Sequence, residues 1–100
     1  MNPVTIEEAM PTIKMHIEPL EDMVFNEFSR ELSDFINRPE LLQEYKETLR
    51  YRINFTTEVN DFISDLIKQD TNNKELEFYY NRYVDCLRQL KKIYNRLFGI

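Results

Sequence analysis

His16 and Cys86 are the only histidine and the only cysteine of the chain, so side-chain chemistry has few places to start. A Ser-His-Asp triad or a Cys-His dyad needs one imidazole held against a nucleophile and oriented by a third group. His16 lies between Pro11 and Pro19, where an irregular backbone is expected and a surface role follows. Cys86 sits on the shoulder of an apolar helical stripe, the position of an inert packing thiol. A lone cysteine forms no intrachain disulfide, which points to a reducing, cytoplasmic setting. Glu18 with Glu21, and Glu27 with Glu31, share helical faces at spacings typical of solvated charge. A ferritin-like di-metal bundle needs a Glu-x-x-His on each of two helices, and no such pair exists. The only glycine, Gly99, leaves no Gly-rich phosphate loop. The expectation is a protein that is not an enzyme and that carries no cofactor and no metal.

Two groups of residues depart from what a plain helical bundle requires. Arg52 points about 20° from the middle of its helix's apolar arc, with Thr48 and Thr56 on the same face. Glu31 is similarly placed among Leu20, Val24 and Phe35. These four are expected to be buried or interfacial polar residues. Arg52 either pairs with Glu21, Glu27 or Glu31 across the bundle, fixing register, or presents its guanidinium to an anionic ligand or a partner carboxylate. The second group is Phe78, Arg82, Arg88, Lys91, Lys92 and Arg96 near the C-terminus, which reads as a partner-binding face because aromatic and arginine side chains are enriched at binding hot spots.

The elements that position these residues are helices. Ile6, Met10, Ile13, Ile17, Leu20 and Val24 alternate steps of four and three. Thr5 and Glu8 form a capping box, whereas Pro11 and Pro19 predict a kink or break at each, with a fresh helix opening at Pro19. A second long helix starts at Pro39 and carries Leu42, Tyr45, Leu49, Phe55, Val59, Phe62, Leu66 and others over about 180° of its circumference. That arc is wider than one neighbour needs, so this helix is expected at the centre of the bundle. In the last helix Leu76, Tyr80, Tyr83, Leu87, Leu90, Tyr94 and Leu97 repeat by four and three, and Gly99 stops it. Helical segments of about 5–18, 19–37, 39–69 and 73–98 make one domain over residues 1–100. The architecture expected is an all-α, antiparallel up-down-up bundle of three long helices, the first kinked or broken at Pro11 and Pro19. The arms measure roughly 50, 46 and 39 Å at the helical rise.

Charge and composition narrow the function. Residues 1–70 carry seven Lys/Arg against fifteen Asp/Glu, a net −8, while residues 71–100 carry six against three, a net +3. An acidic body therefore meets a basic last helix. No apolar run is long enough to span a membrane and the N-terminus lacks the order of a signal peptide, so a small acidic protein that stays in the cytoplasm is expected. A net charge of −5 over mixed signs is weak for a mimic of nucleic acid. The leading expectation is a non-enzymatic protein–protein interaction or regulatory module of the adaptor, antitoxin, immunity or phage-type inhibitor class, its partner another protein and a homodimer among its states. The alternative is an anion, nucleotide or nucleic-acid binder that uses the basic aromatic last helix. A small enzyme built around Arg52 and carboxylates is a third, weaker reading.

Overall fold

The computed structural model describes residues 4–28 and 37–99. The first arm is α1 (Ile6–Asp22), which passes directly into a π-helical segment, Met23–Glu27. It is followed by α2 (Pro39–Gln69) and α3 (Lys74–Phe98). The described residues form an all-α three-helix bundle with no strand.

Local chemistry sets the helix ends. Thr5 has extended backbone angles, and its hydroxyl accepts the Glu8 N–H at 3.2 Å, as the capping box requires. Pro39 opens α2 with its fixed φ and no amide to waste. Asn73 caps α3 by accepting the Leu76 N–H at 3.0 Å. Gly99 closes α3 at φ 57°, donating its N–H to the Asn95 carbonyl at 2.9 Å.

The two prolines of the first arm are carried inside α1 and do not end it. Each removes one amide donor, but Glu7 and Met15, whose carbonyls lose that donor, lie on exposed turns where water takes its place. The departure from α geometry comes one turn beyond Pro19, in the π segment, where the Phe28 N–H reaches back to the Met23 carbonyl. Its cause is visible in the spacing. Leu20, Val24 and Phe28 follow one another in steps of four, and each such step drifts by about 40° in an α-helix. The wider π turn removes part of that drift, and all three side chains are buried. The rest of the segment expected over 19–37 lies largely outside the described residues, as does Glu31.

The contacts fix the direction of each helix. Lys14 pairs with Glu75 and Glu21 with Arg82, so α1 and α3 run parallel. Lys46 lies over the Phe98 ring, while Arg50 and Asn54 face Lys91 and Asn95, so α2 runs antiparallel to α3. The result is up-down-up, 47 Å long, which is the length of α2. Both α1 and α2 pack along α3, and among the described residues α1 and α2 scarcely touch. Among the described residues the helix in the middle is therefore α3, where α2 was expected; the first arm reaches α2 at Phe28, whose carbonyl accepts the Tyr45 hydroxyl at 3.4 Å. The four-residue connection 70–73 forces α2 beside α3. The Tyr83 hydroxyl, donating to the Ile13 carbonyl at 2.8 Å, and the Glu21–Arg82 pair fasten α1 to α3 as well. Ile17, Val24, Leu49, Ile63, Leu66, Leu76, Cys86 and Leu90 are completely or almost completely buried along these two seams.

Candidate binding groove

Because α1 and α2 flank α3 without closing on each other, a groove of about 440 Å³ remains between them. One wall is a stripe of α1 at near-helical spacing, Glu8, Thr12, His16, Pro19 and Met23. The facing wall is Arg52, Phe55, Val59 and Phe62 of α2, in steps of three, four and three. Ile13, Leu20 and Tyr83 form the floor, and Val4 closes one end. Phe55, Phe62 and Val4 remain 46%, 42% and 43% exposed, although side chains of this kind gain most from burial. The Tyr51 ring stacks on Phe55 at 6.4 Å and extends the apolar wall.

The helix directions make the groove polar along its length. Since α1 and α2 are antiparallel, Arg52, the first groove residue of α2, lies at the Met23 end. Phe62, the last, lies at the end where Glu8 and Val4 sit. A cation therefore marks one end and a carboxylate the other. Arg52 is half-buried, its guanidinium carbon 5.7 Å from the Tyr51 ring centroid, and no carboxylate among the described residues is within ion-pair distance of it.

The other groove groups have little freedom for chemistry. The Tyr83 hydroxyl is committed to the Ile13 carbonyl, and burial pushes its pKa up to about 12. Cys86 has no exposed surface; burial first, and then the nearby Glu21 charge, push its thiol up to about 12, so it is protonated at neutral pH. His16 stands exposed on the groove wall, away from the closed site that Cys86 occupies. No cluster of three His, Cys, Asp or Glu side chains able to hold a metal occurs among the described residues.

The residues singled out by sequence fall into separate places. Arg82 is taken up within the chain. Its guanidinium makes a two-pronged pair with Glu21, one arm through Nε to Oε2 at 3.0 Å, and these hydrogen bonds raise its pKa further. The same guanidinium stacks 5.6 Å from the Phe78 ring and 5.5 Å from Tyr79. Phe78 is exposed beyond that contact. Arg88 is exposed and pairs with Asp85 at 3.5 Å, while Lys91, Lys92 and Arg96 are exposed on α3, Lys91 lining a shallow cleft against Arg50 of α2. Of the expected buried polar residues, Thr56 is fully buried, and its hydroxyl has no partner among the described residues. Asn60, one turn on, is likewise buried with its side-chain oxygen unpaired there, a position the sequence reading did not single out. Thr48 is instead exposed, its hydroxyl donating to the Glu44 carbonyl at 3.1 Å, one turn ahead of Arg52, the first α2 residue of the groove. Arg52 does not pair with Glu21 as offered above, since α1 turns that carboxylate toward α3.

The groove is not legible in the sequence as such. Its signal is the apolar arc of α2, about 180° across and wide enough for a second neighbour, on which Phe55 and Phe62 lie. No family model, curated protein or solved structure matches this chain.

Proposed function

We propose that the chain is a non-enzymatic protein–protein interaction module, of the kind that regulates or adapts other proteins, and that its contact surface is the α1–α2 groove. The observation that carries this reading is the second apolar face of α2, left open with Phe55 and Phe62 half in water. A helix laid into such a groove would bury both walls through its own i, i+3, i+4 stripe. A photoreactive phenylalanine analogue at position 62 is expected to cross-link to protein in the native host, and one at exposed Glu47, outside the groove, is not. Cross-linking at both positions alike, or at neither, would overturn the reading.

A second reading rests on a shallow cleft between α2 and α3, where Arg50 and Lys91 face each other beside Tyr94. Together with Lys92 and Arg96 it supports an anion or nucleic-acid site on the basic side of α3. Binding of a generic single-stranded oligonucleotide that falls steeply as salt rises is the expected sign of that function. Salt-independent binding, or none, would remove it.

A further inference from the structure

We infer that the partner seated in the α1–α2 groove is the α2 helix of a second copy of this chain, in an isologous antiparallel dimer that sets Arg52 of each copy against Glu8 of the other. The inference rests on reading the groove as a protein-docking surface. Three observations select a second copy as the occupant.

The first is the spacing of the α2 wall. Arg52, Phe55, Val59 and Phe62 follow one another by three, four and three, a pattern that reads the same in both directions. Two antiparallel copies of such a stripe meet in register, Phe55 of each beside Val59 of the other across the two-fold axis and Arg52 near the opposite Phe62. The second is charge. The groove has its cation at one end and Glu8 at the other, and a two-fold operation exchanges the ends. Arg52, which has no carboxylate partner among the described residues, then faces one, whereas a parallel copy would set cation against cation. The third is the width of the α2 arc. Among the described residues α2 packs along α3 and meets the first arm mainly where Tyr45 lies on Phe28, away from the groove wall, and the exposed wall continues outward through Tyr51 stacked on Phe55. In the dimer that wall packs on its own symmetry mate, and α1 and α2 of the two copies close a four-helix layer.

Sedimentation equilibrium on the purified full chain, at concentrations up to about 200 μM, tests this through mass action. The expected mass is twice the 12.2 kDa of the chain. Phe62→Glu is expected to give a monomer with an unchanged helical circular-dichroism signal. Arg52→Glu, at a position whose loss leaves α2 intact, is expected to weaken the dimer about tenfold, and Arg52→Glu with Glu8→Arg to restore it. The cap at Thr5 uses the backbone of residue 8 and survives that exchange. A wild-type monomer throughout the range, or a dimer indifferent to Phe62→Glu and to the charge exchange, would overturn the inference. The docking reading would still stand on a position-62 cross-link to a protein of different mass, and would fall with this inference if that position cross-linked to nothing or no differently from position 47.

Discussion

The α1–α3 seam and the α1–α2 groove share one helix, yet they treat an arginine in opposite ways. On the seam, Arg82 lies on two aromatic rings and is held by both oxygens of Glu21, with the pair's side chains 26% and 29% exposed. In the groove, Arg52 also lies on a tyrosine, but no carboxylate of the described chain comes to it. A half-buried cation without a partner forfeits solvation and receives little in return. The difference separates contacts that are completed among the described residues from those that are not. The seam is closed by the Glu21–Arg82 pair, and the groove wall stays open among the described residues.

The comparison is sharpest where truncation should separate the two regions. Leu90 is fully buried in the seams of α3, so Leu90→Ala is expected to cost about 3 kcal/mol in urea unfolding. Phe62→Ala on the groove wall should cost under about 1 kcal/mol, measured at concentrations low enough to exclude association. Equal losses would mean that the groove is part of the core.

Alkali should act on the seam. Cys86 and Tyr83 ionise at ordinary values of 9.0 and 10.0 but are pushed up to about 12 when folded. Their folded pKa values are raised, so the neutral forms contribute stability that is fully present below pH 9 and is lost between about pH 9 and pH 12. The loss should be on the order of 2 kcal/mol by about pH 10, and Cys86→Ala should flatten its first part. A urea midpoint constant from pH 9 to 11 would contradict the burial of both groups.

Breaking the paired arginine comes next. Glu21→Gln leaves Arg82 uncompensated and is expected to cost about 1–2 kcal/mol, between the values for exposed and fully buried pairs. Tyr83→Phe strands the Ile13 carbonyl and should cost about 1 kcal/mol. The smallest effect is expected at the unpaired arginine. Arg52→Leu should change the stability of the monomer by no more than about 0.5 kcal/mol in either direction. A loss as large as that of Glu21→Gln would show that Arg52 has a structural partner after all and would erase the contrast.

Much of this architecture was legible before any coordinates. The capping residue Thr5, the start at Pro39, the end at Gln69 and the stop at Gly99 are all properties of short stretches of chain, governed by backbone sterics and local hydrogen bonds. The site was legible only in fragments. Arg52 stood out because a cation replaced a hydrophobe in a periodic stripe, and Thr56 was placed correctly in the interior. Thr48 was not, since angular position on a helix tells nothing of which sides neighbours will cover. Arg82 was read as part of a face for partners because its own partner, Glu21, is distant in sequence.

The amino-acid order by itself determined three helices, their ends, their apolar faces and the excess width of the face on α2. Each follows from interactions within about four residues, which the helical period makes visible in one dimension. Only the tertiary structure decided that, among the described residues, α3 and not α2 stands in the middle, that Glu21 goes to Arg82 and leaves Arg52 without a carboxylate there, and that the spare face of α2 lines a groove. Those outcomes depend on how whole helices divide a small number of neighbours among themselves, a choice made by summed packing over the entire bundle.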